Sequence, residues 1–505
     1  MKFFNFTKKN KKHQTKEDNF NSLESKKINF SWLHDITESD CSIVVSSHKT
    51  ILCVSQDGNI YHDDPNKNIN PLLIYQVTDG VWFLRKNNLS ELDALITDGI
   101  KENFKFSSKE KPILVNIGGS LEDGISFNLS GFNLTAELEG KIKFNTTNLL
   151  SWENFALLSW DTFSWLQEAK NETWIEQNTG KEVFFKNFNK INSETFVDCN
   201  FETYNISGRP GPLLLRDLRK NKIYILDSFK RKRSLLKLNP LVYFCVFGSD
   251  EYYKCAALSI ISLRKFGLYS GKIFLISDRS QEDTLKFLPL DFQFNIEVKE
   301  CSNKSPIFER YKIYLYDVEK YNPIFYLDTD IIVGGDINKI IKDALCSEDF
   351  CLYREANYSV KKIDESEWDI GTNWFGGWMF ARNSEIGTLP FWKATSGIMI
   401  FSDHGETKKI FDMICSVGRL TRQHEIDRFG DQPVMNYVTT QNENVNISVL
   451  DNKSLNSGNV EHFLSNPERI LMHVSLGVGY GNKKLPIMES LFEKIDQNHK
   501  THGKE

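Results

Sequence analysis

The rhythm of apolar and polar positions changes near residue 238. Before that point short runs alternate apolar and polar residues, with glycine turns between them. Asp57-Gly58, Asp98-Gly99, Glu139-Gly140 and Thr179-Gly180 fall at almost constant spacing, the glycines at 58, 99, 140 and 180. Each turn precedes an alternating or β-branched segment: NIY, IKENFKF, KIKF and KEVFF. Acidic–Gly pairs between such runs read as hairpin turns, because glycine accepts the positive φ that the turn needs. A period of this length marks supersecondary units that bury their apolar faces only together. Residues 40–230 are therefore expected to form an all-β repeat domain. Beyond 238 the runs are longer. LVYFCVFGSD reads as a buried strand, KCAALSIISLRKFG as a helix with a glycine stop, and KIFLISD as a second strand. Such alternation implies an α/β domain around a mostly parallel sheet, here expected over 238–495. Residues 1–28, rich in Lys and Asn, read as a disordered basic leader, and 496–505 as a flexible tail.

In α/β sheets ligands bind beyond the carboxyl ends of the strands, where this chain places Asp250 and Asp278. The most informative segment is NPIFYLDTDIIVGGDI, in which an apolar run delivers Asp328 and Asp330 at its end. Residues two apart on an extended chain point the same way, so both carboxylates are expected to reach one cation. Hard oxygen ligands suit Mg²⁺ or Mn²⁺. Read blandly, the pair is two solvated turn carboxylates.

Two resemblances follow from these residues. The segment GISFNLSGFNLTAELEGKIKFNTTNLLSWENFALLS, residues 124–159, resembles a repeat of the fascin-like β-trefoil family. The matching features are residues 131–134, Glu139-Gly140 and Trp152-Glu153-Asn154-Phe155. The resemblance implies a trefoil-like domain that contacts a glycan or a protein. A trefoil closes with three units, whereas four turns are present, so either the fourth belongs to a connecting hairpin or the domain is not a trefoil. Trp152 and Phe155 are expected in the barrel core.

From about 242 to 484 the chain resembles GT-A glycosyltransferases of the glycogenin and lipopolysaccharide galactosyltransferase type (family 8-like). The motifs, in order, are FGSDEYYKCAALSIISL, FERYKIYLYD, FYLDTDIIV, WKATSGIMIF, GDQPVMNYV and ILMHVSLGVGYGNKK. The resemblance implies transfer of a hexosyl group from a UDP-sugar, with retention, to a sugar, lipid-linked or protein acceptor. It implies Asp250 on the base or ribose, Tyr253 stacked on the base, and Arg310 with Lys312 on the sugar or phosphate. Thr395, Ser396 and Gly397 would floor the sugar site, although the family's Asn is missing there. Asp431 and Gln432 would lie near the anomeric carbon. His473 would complete a metal site with Asp328 and Asp330, and Gly477 and Lys483 would approach the diphosphate, Lys483 being a choice between two adjacent lysines. Taken alone, Asp431 could instead cap a helix, and His473 could be an ordinary core histidine. Trp374, Phe375 and Trp378 read either as an acceptor platform or as packing.

Composition narrows the field. With 62 basic and 67 acidic side chains the net charge is −5, without the basic excess of a nucleic-acid binder. Nine scattered cysteines show no zinc or disulfide spacing and suit a reducing compartment, hence a cytoplasmic location. No apolar stretch approaches the roughly 18 residues of a membrane span. Two competing readings remain: a haloacid-dehalogenase phosphatase, which would carry the acidic pair on the first strand of its domain, and an inactive glycan-binding or scaffolding protein with a GT-A-like half.

Overall fold

The computed structural model describes residues 36–48, 50–64, 70–87, 91–96, 104–120, 124–169, 171–191, 194–199, 203–205, 215–217, 222–226, 232–301, 306–359, 375–381, 390–423, 430–456, 459–474 and 484–502. The expected leader, Asp98-Gly99, Trp374, Gly477 and Lys483 lie outside these residues.

Residues 42–159 form a twelve-stranded antiparallel sheet. Its first strand, Ser42–Ser46, pairs along its whole length with its last, Phe155–Ser159. Inward residues such as Val44, Phe83, Phe127, Leu134 and Phe155 share one core. Gly58 (φ 87°) and Gly140 (φ 83°) turn hairpins within this sheet, in the left-handed region where a Cβ is costly. Gly180 instead turns the hairpin between Thr173–Glu176 and Glu182–Val183, which belong to a second sheet. The fourth turn is thus a separate hairpin. Two expectations need correction here. Trp152 is 40 % exposed, its ring tilted against His48, so only Phe155 is core. The helix Trp160–Ala169 interrupts the span read as all-β, burying Phe163 between the two sheets' residues Leu158 and Trp174.

The second sheet has eight strands within 173–238 and leans on the α/β half. Ile175 and Leu236 bury against Leu345 of the helix Asn338–Ser347. Around that contact Lys222 pairs with Glu348 at 2.5 Å, Gln177 donates to Glu348 at 2.7 Å, and Lys342 pairs with Glu182 at 2.6 Å.

The α/β half is built on a seven-stranded mixed sheet. Ile296–Glu300, Lys272–Ser277, Leu241–Val246 and Ile324–Leu327 lie side by side and parallel. Pro390–Phe401 then runs antiparallel beside Ile324–Leu327, followed by Phe350–Ser359 and Val445–Asn446. The central strands are unbroken apolar runs because both faces are covered. The helix Asp250–Lys265 starts with Asp250 and Glu251 and ends with Arg264 and Lys265, matching the helix dipole at both ends. A small second sheet, Ile331–Val333, Leu471–His473 and Ser454–Asn456, lies beyond the end of the central strand. The last helix, Lys484–His502, runs through most of the segment expected to be a flexible tail. Among the described residues no helix is long and apolar enough to cross a membrane.

Candidate active site

The chain passes from the large sheet to the small one across residues 328–330. Asp328 is fastened to the large sheet, its N–H donating to Gly397 O at 2.8 Å. Asp330 is fastened to the small one, its carbonyl accepting from Val474 N at 3.0 Å. The antiparallel register sets Ile331 opposite His473, which delivers the imidazole beside Asp330. The carboxylates therefore converge through a turn, not through the strand alternation that the sequence suggested. His473 Nε2 lies 3.3 Å from Asp330 Oδ1 and 4.0 Å from Asp328 Oδ2. Gly397 makes room for this approach: a Cβ there would stand 2.7 Å from Asp328 Oδ2 and 2.9 Å from His473 Cε1.

Cations surround the pair. Arg310, from the segment Pro306–Tyr316, reaches Asp328 at 3.1 Å and Asp431 at 3.4 Å and donates to Ser396 O at 2.9 Å. Lys484 pairs with Asp330 Oδ2. Burial works against charge on Asp330, yet His473 and Lys484 outweigh it and hold the carboxyl below the usual carboxylate range. Burial equally opposes charge on His473 and Lys484, and Asp330 raises both above their ordinary values. Arg310 is likewise raised, burial being outweighed by Asp328 and Asp431.

A divalent ion fits this donor set. One ligand atom each from Asp328, Asp330 and His473 lies within 4.8 Å of the others. Asp330 Oδ1 is buried with no hydrogen-bond partner, leaving a lone pair of the kind a cation takes. Two carboxylate oxygens and one imidazole form a donor set for a hard or borderline divalent ion and not for a soft one.

Other expected residues gather here too. Asp431 precedes the helix Gln432–Thr440 but its side chain caps nothing; it accepts from Tyr311 Oη at 2.7 Å and meets Arg310. Gln432 Oε1 accepts from Ser396 N at 3.4 Å, while its buried Nε2 has no hydrogen-bond partner. Thr395 Oγ1 lies 3.5 Å from His473 Nδ1. Asp250 sits at the mouth of the parallel strands, paired with Arg279 at 2.7 Å. Two residues do not take the places expected of them. Lys312 turns away to Glu309 at 2.6 Å. Tyr253 is only 2 % exposed, its ring covered by Arg279 and Phe287 and its hydroxyl bound to Ser277 and Asp278, so it offers no free face to a base. Its neighbour Tyr252 is 49 % exposed. Phe375 and Trp378 pack, the former buried beneath Lys393 and the latter against the core.

Sequence reasoning missed several participants. Tyr326, two residues before Asp328, donates its hydroxyl to that carboxylate beneath Arg310. Asn436 clamps the helix Gln432–Thr440 to the strand through Ala394 N and O, at 2.9 and 2.8 Å. Glu355 falls within a register shift of its strand, between Arg354 and Ala356, and accepts from Asn456 at 2.6 Å, in the row next to His473. Burial raises its carboxyl above the ordinary range. Only Lys484 carried a visible signal, as the neighbour of Lys483.

Neither a family model nor a curated protein matches the chain. Among solved structures it is similar to the galactosyltransferase LgtC in complex with donor and acceptor sugar analogs, with 11 % identity over 50 % of this chain and 95 % of that one, TM-score 0.34. It is similar to the glycosyltransferase GlyE of Streptococcus pneumoniae TIGR4, with 13 % identity over 53 % and 64 %, TM-score 0.34. It is also similar to the bifunctional glycosyltransferase WbbM, with 12 % identity over 52 % and 51 %, TM-score 0.33.

Proposed function

We propose that this protein is a metal-dependent glycosyltransferase that moves a hexosyl group from a UDP-sugar to an acceptor, with the anomeric configuration retained. One observation supports this above all others: two carboxylates and an imidazole converge within 4.8 Å, with a buried carboxylate oxygen that accepts no hydrogen bond among them and Arg310 and Lys484 at their edge. A site that concentrates cations around a metal cluster suits a diphosphate leaving group. Asp328, Asp330 and His473 would hold Mn²⁺ or Mg²⁺, which when bound supplies positive charge to the departing nucleoside diphosphate. Arg310 orients Asp328 and Asp431 together, and Gln432 offers a buried amide to the sugar. Gly477 and Lys483 would complete the diphosphate contacts, with Asp250 at the nucleoside end. The N-terminal half would dock a glycan or protein through its trefoil-like repeats.

The test is a donor screen with UDP-, GDP- and CMP-sugars and Mn²⁺, read as donor hydrolysis, which needs no known acceptor. Hydrolysis of a UDP-sugar that falls by at least about 100-fold in Asp330→Ala is expected. No hydrolysis of any donor, or hydrolysis indifferent to Asp330, would sink the proposal. Product NMR reads retention directly.

A further inference from the structure

Lys484 stands where its own helix disfavours it. It opens the helix Lys484–His502, whose first turn holds no acidic side chain, so its charge meets the positive end of the helix dipole. What offsets this is Asp330, 154 residues earlier in the chain, whose Oδ2 takes the ammonium. The same carboxylate turns its other oxygen toward His473 without a hydrogen bond. One carboxylate is thus shared between a fixed partner and the space an ion would fill.

We propose that Lys484 is a resident counter-cation of the metal cluster, competing with the divalent ion for Asp330 and released from it by the diphosphate that arrives with the ion. The inference rests on the metal site put forward as the protein's function. An ammonium and a dication on one carboxylate repel each other at a few ångströms in partly buried surroundings. Lysine's flexible four-carbon stem lets the charge swing away once another anion is near. A diphosphate provides that anion. The ion alone therefore binds weakly, the ion with the diphosphate binds tightly, and the coupling is reciprocal.

The experiment measures Mn²⁺ binding by the EPR signal of the free aquated ion, without and with UDP, in the full-length wild type, Lys484→Gln and Lys484→Met. In the substituted proteins Mn²⁺ alone is expected to bind about tenfold tighter, about 1.4 kcal/mol, and the tightening caused by UDP is expected to shrink by about tenfold. A lysine that merely braces the fold would leave Mn²⁺ affinity unchanged or weaken it, and either result overturns the proposal. Wild type alone is a second test, independent of whether the variants fold: equal Mn²⁺ affinity with and without UDP also overturns it. Wild type that binds no Mn²⁺ under either condition overturns the metal-site reading itself, and so differs from a site that binds Mn²⁺ with no dependence on Lys484.

Discussion

At the scale of single residues, the site depends on one missing methyl group and one reluctant carboxyl. Gly397 lets Asp328 and His473 approach each other over the strand Pro390–Phe401. Gly397→Ala is expected to push one of them aside by a substantial fraction of an ångström, and misplacement of that order costs up to about 100-fold in rate. Donor hydrolysis should fall accordingly, with Mn²⁺ affinity falling beside it while circular dichroism stays native. Glu355 makes a pH-dependent contribution. Burial raises its carboxyl above the ordinary value of 4.5, so the fold favours the protonated form. The folded chain then holds a proton that the unfolded chain has lost, and stability falls as pH rises through the raised value. Glu355→Gln keeps an acceptor for Asn456 and removes the ionisation. Its melting temperature should match wild type near pH 4 and exceed it near pH 7.5; the reverse order would show that the charged form is the one the fold prefers.

At the scale of elements, Gly418 sets two opposing effects against each other. Alanine in a helix interior is ordinarily about 1 kcal/mol better than glycine. Here, in the helix His404–Gln423, a Cβ would stand 2.3 Å from Phe308 Cζ, and Phe308 belongs to the segment that carries Arg310. Overpacking of this kind costs about 1–3 kcal/mol. Gly418→Ala should therefore lower the urea midpoint and weaken donor hydrolysis together. The elements themselves differed in how readily the sequence disclosed them. LVYFCV, KIFLIS and IFYL were legible because strands covered on both faces are unbroken apolar runs, and the acidic pair was legible because it ends such a run. The helix Trp160–Ala169 was not, since its aromatic content resembles the strands around it. Tyr311, Tyr326 and Asn436 were hidden for a similar reason: core aromatics and a lone amide look the same whether or not their polar ends serve a site. Nor does any local pattern reveal that Ile331 lies opposite His473, because register across that span is settled only by folding.

At the scale of the whole molecule, the sheet within 173–238 is joined to the α/β half by a few specific contacts. Lys222 is 7 % exposed and has Glu348 as its carboxylate partner. Gln177 Oε1 also accepts from this ammonium, at 3.0 Å, so neutralising Glu348 weakens a largely buried pair and does not empty it, a loss here of about 2 kcal/mol at most, below the figure for breaking a fully buried pair. Glu348→Gln should lower the unfolding free energy by that amount and the urea midpoint with it, with hydrogen exchange rising first in the strands Thr173–Glu176 and Lys232–Leu238. An unchanged midpoint would mean that the charge of Glu348 does not help to join this sheet to the α/β half. The seam at residues 328–330 bears also on how the protein is made. Its imidazole leaves the ribosome more than a hundred residues after its carboxylates, and domains fold in order of synthesis. Until His473 emerges and its strand docks, the nascent chain carries two acidic groups and no finished cluster, so a protein cut short before that point is expected to be without the activity, however well its first sheets have formed.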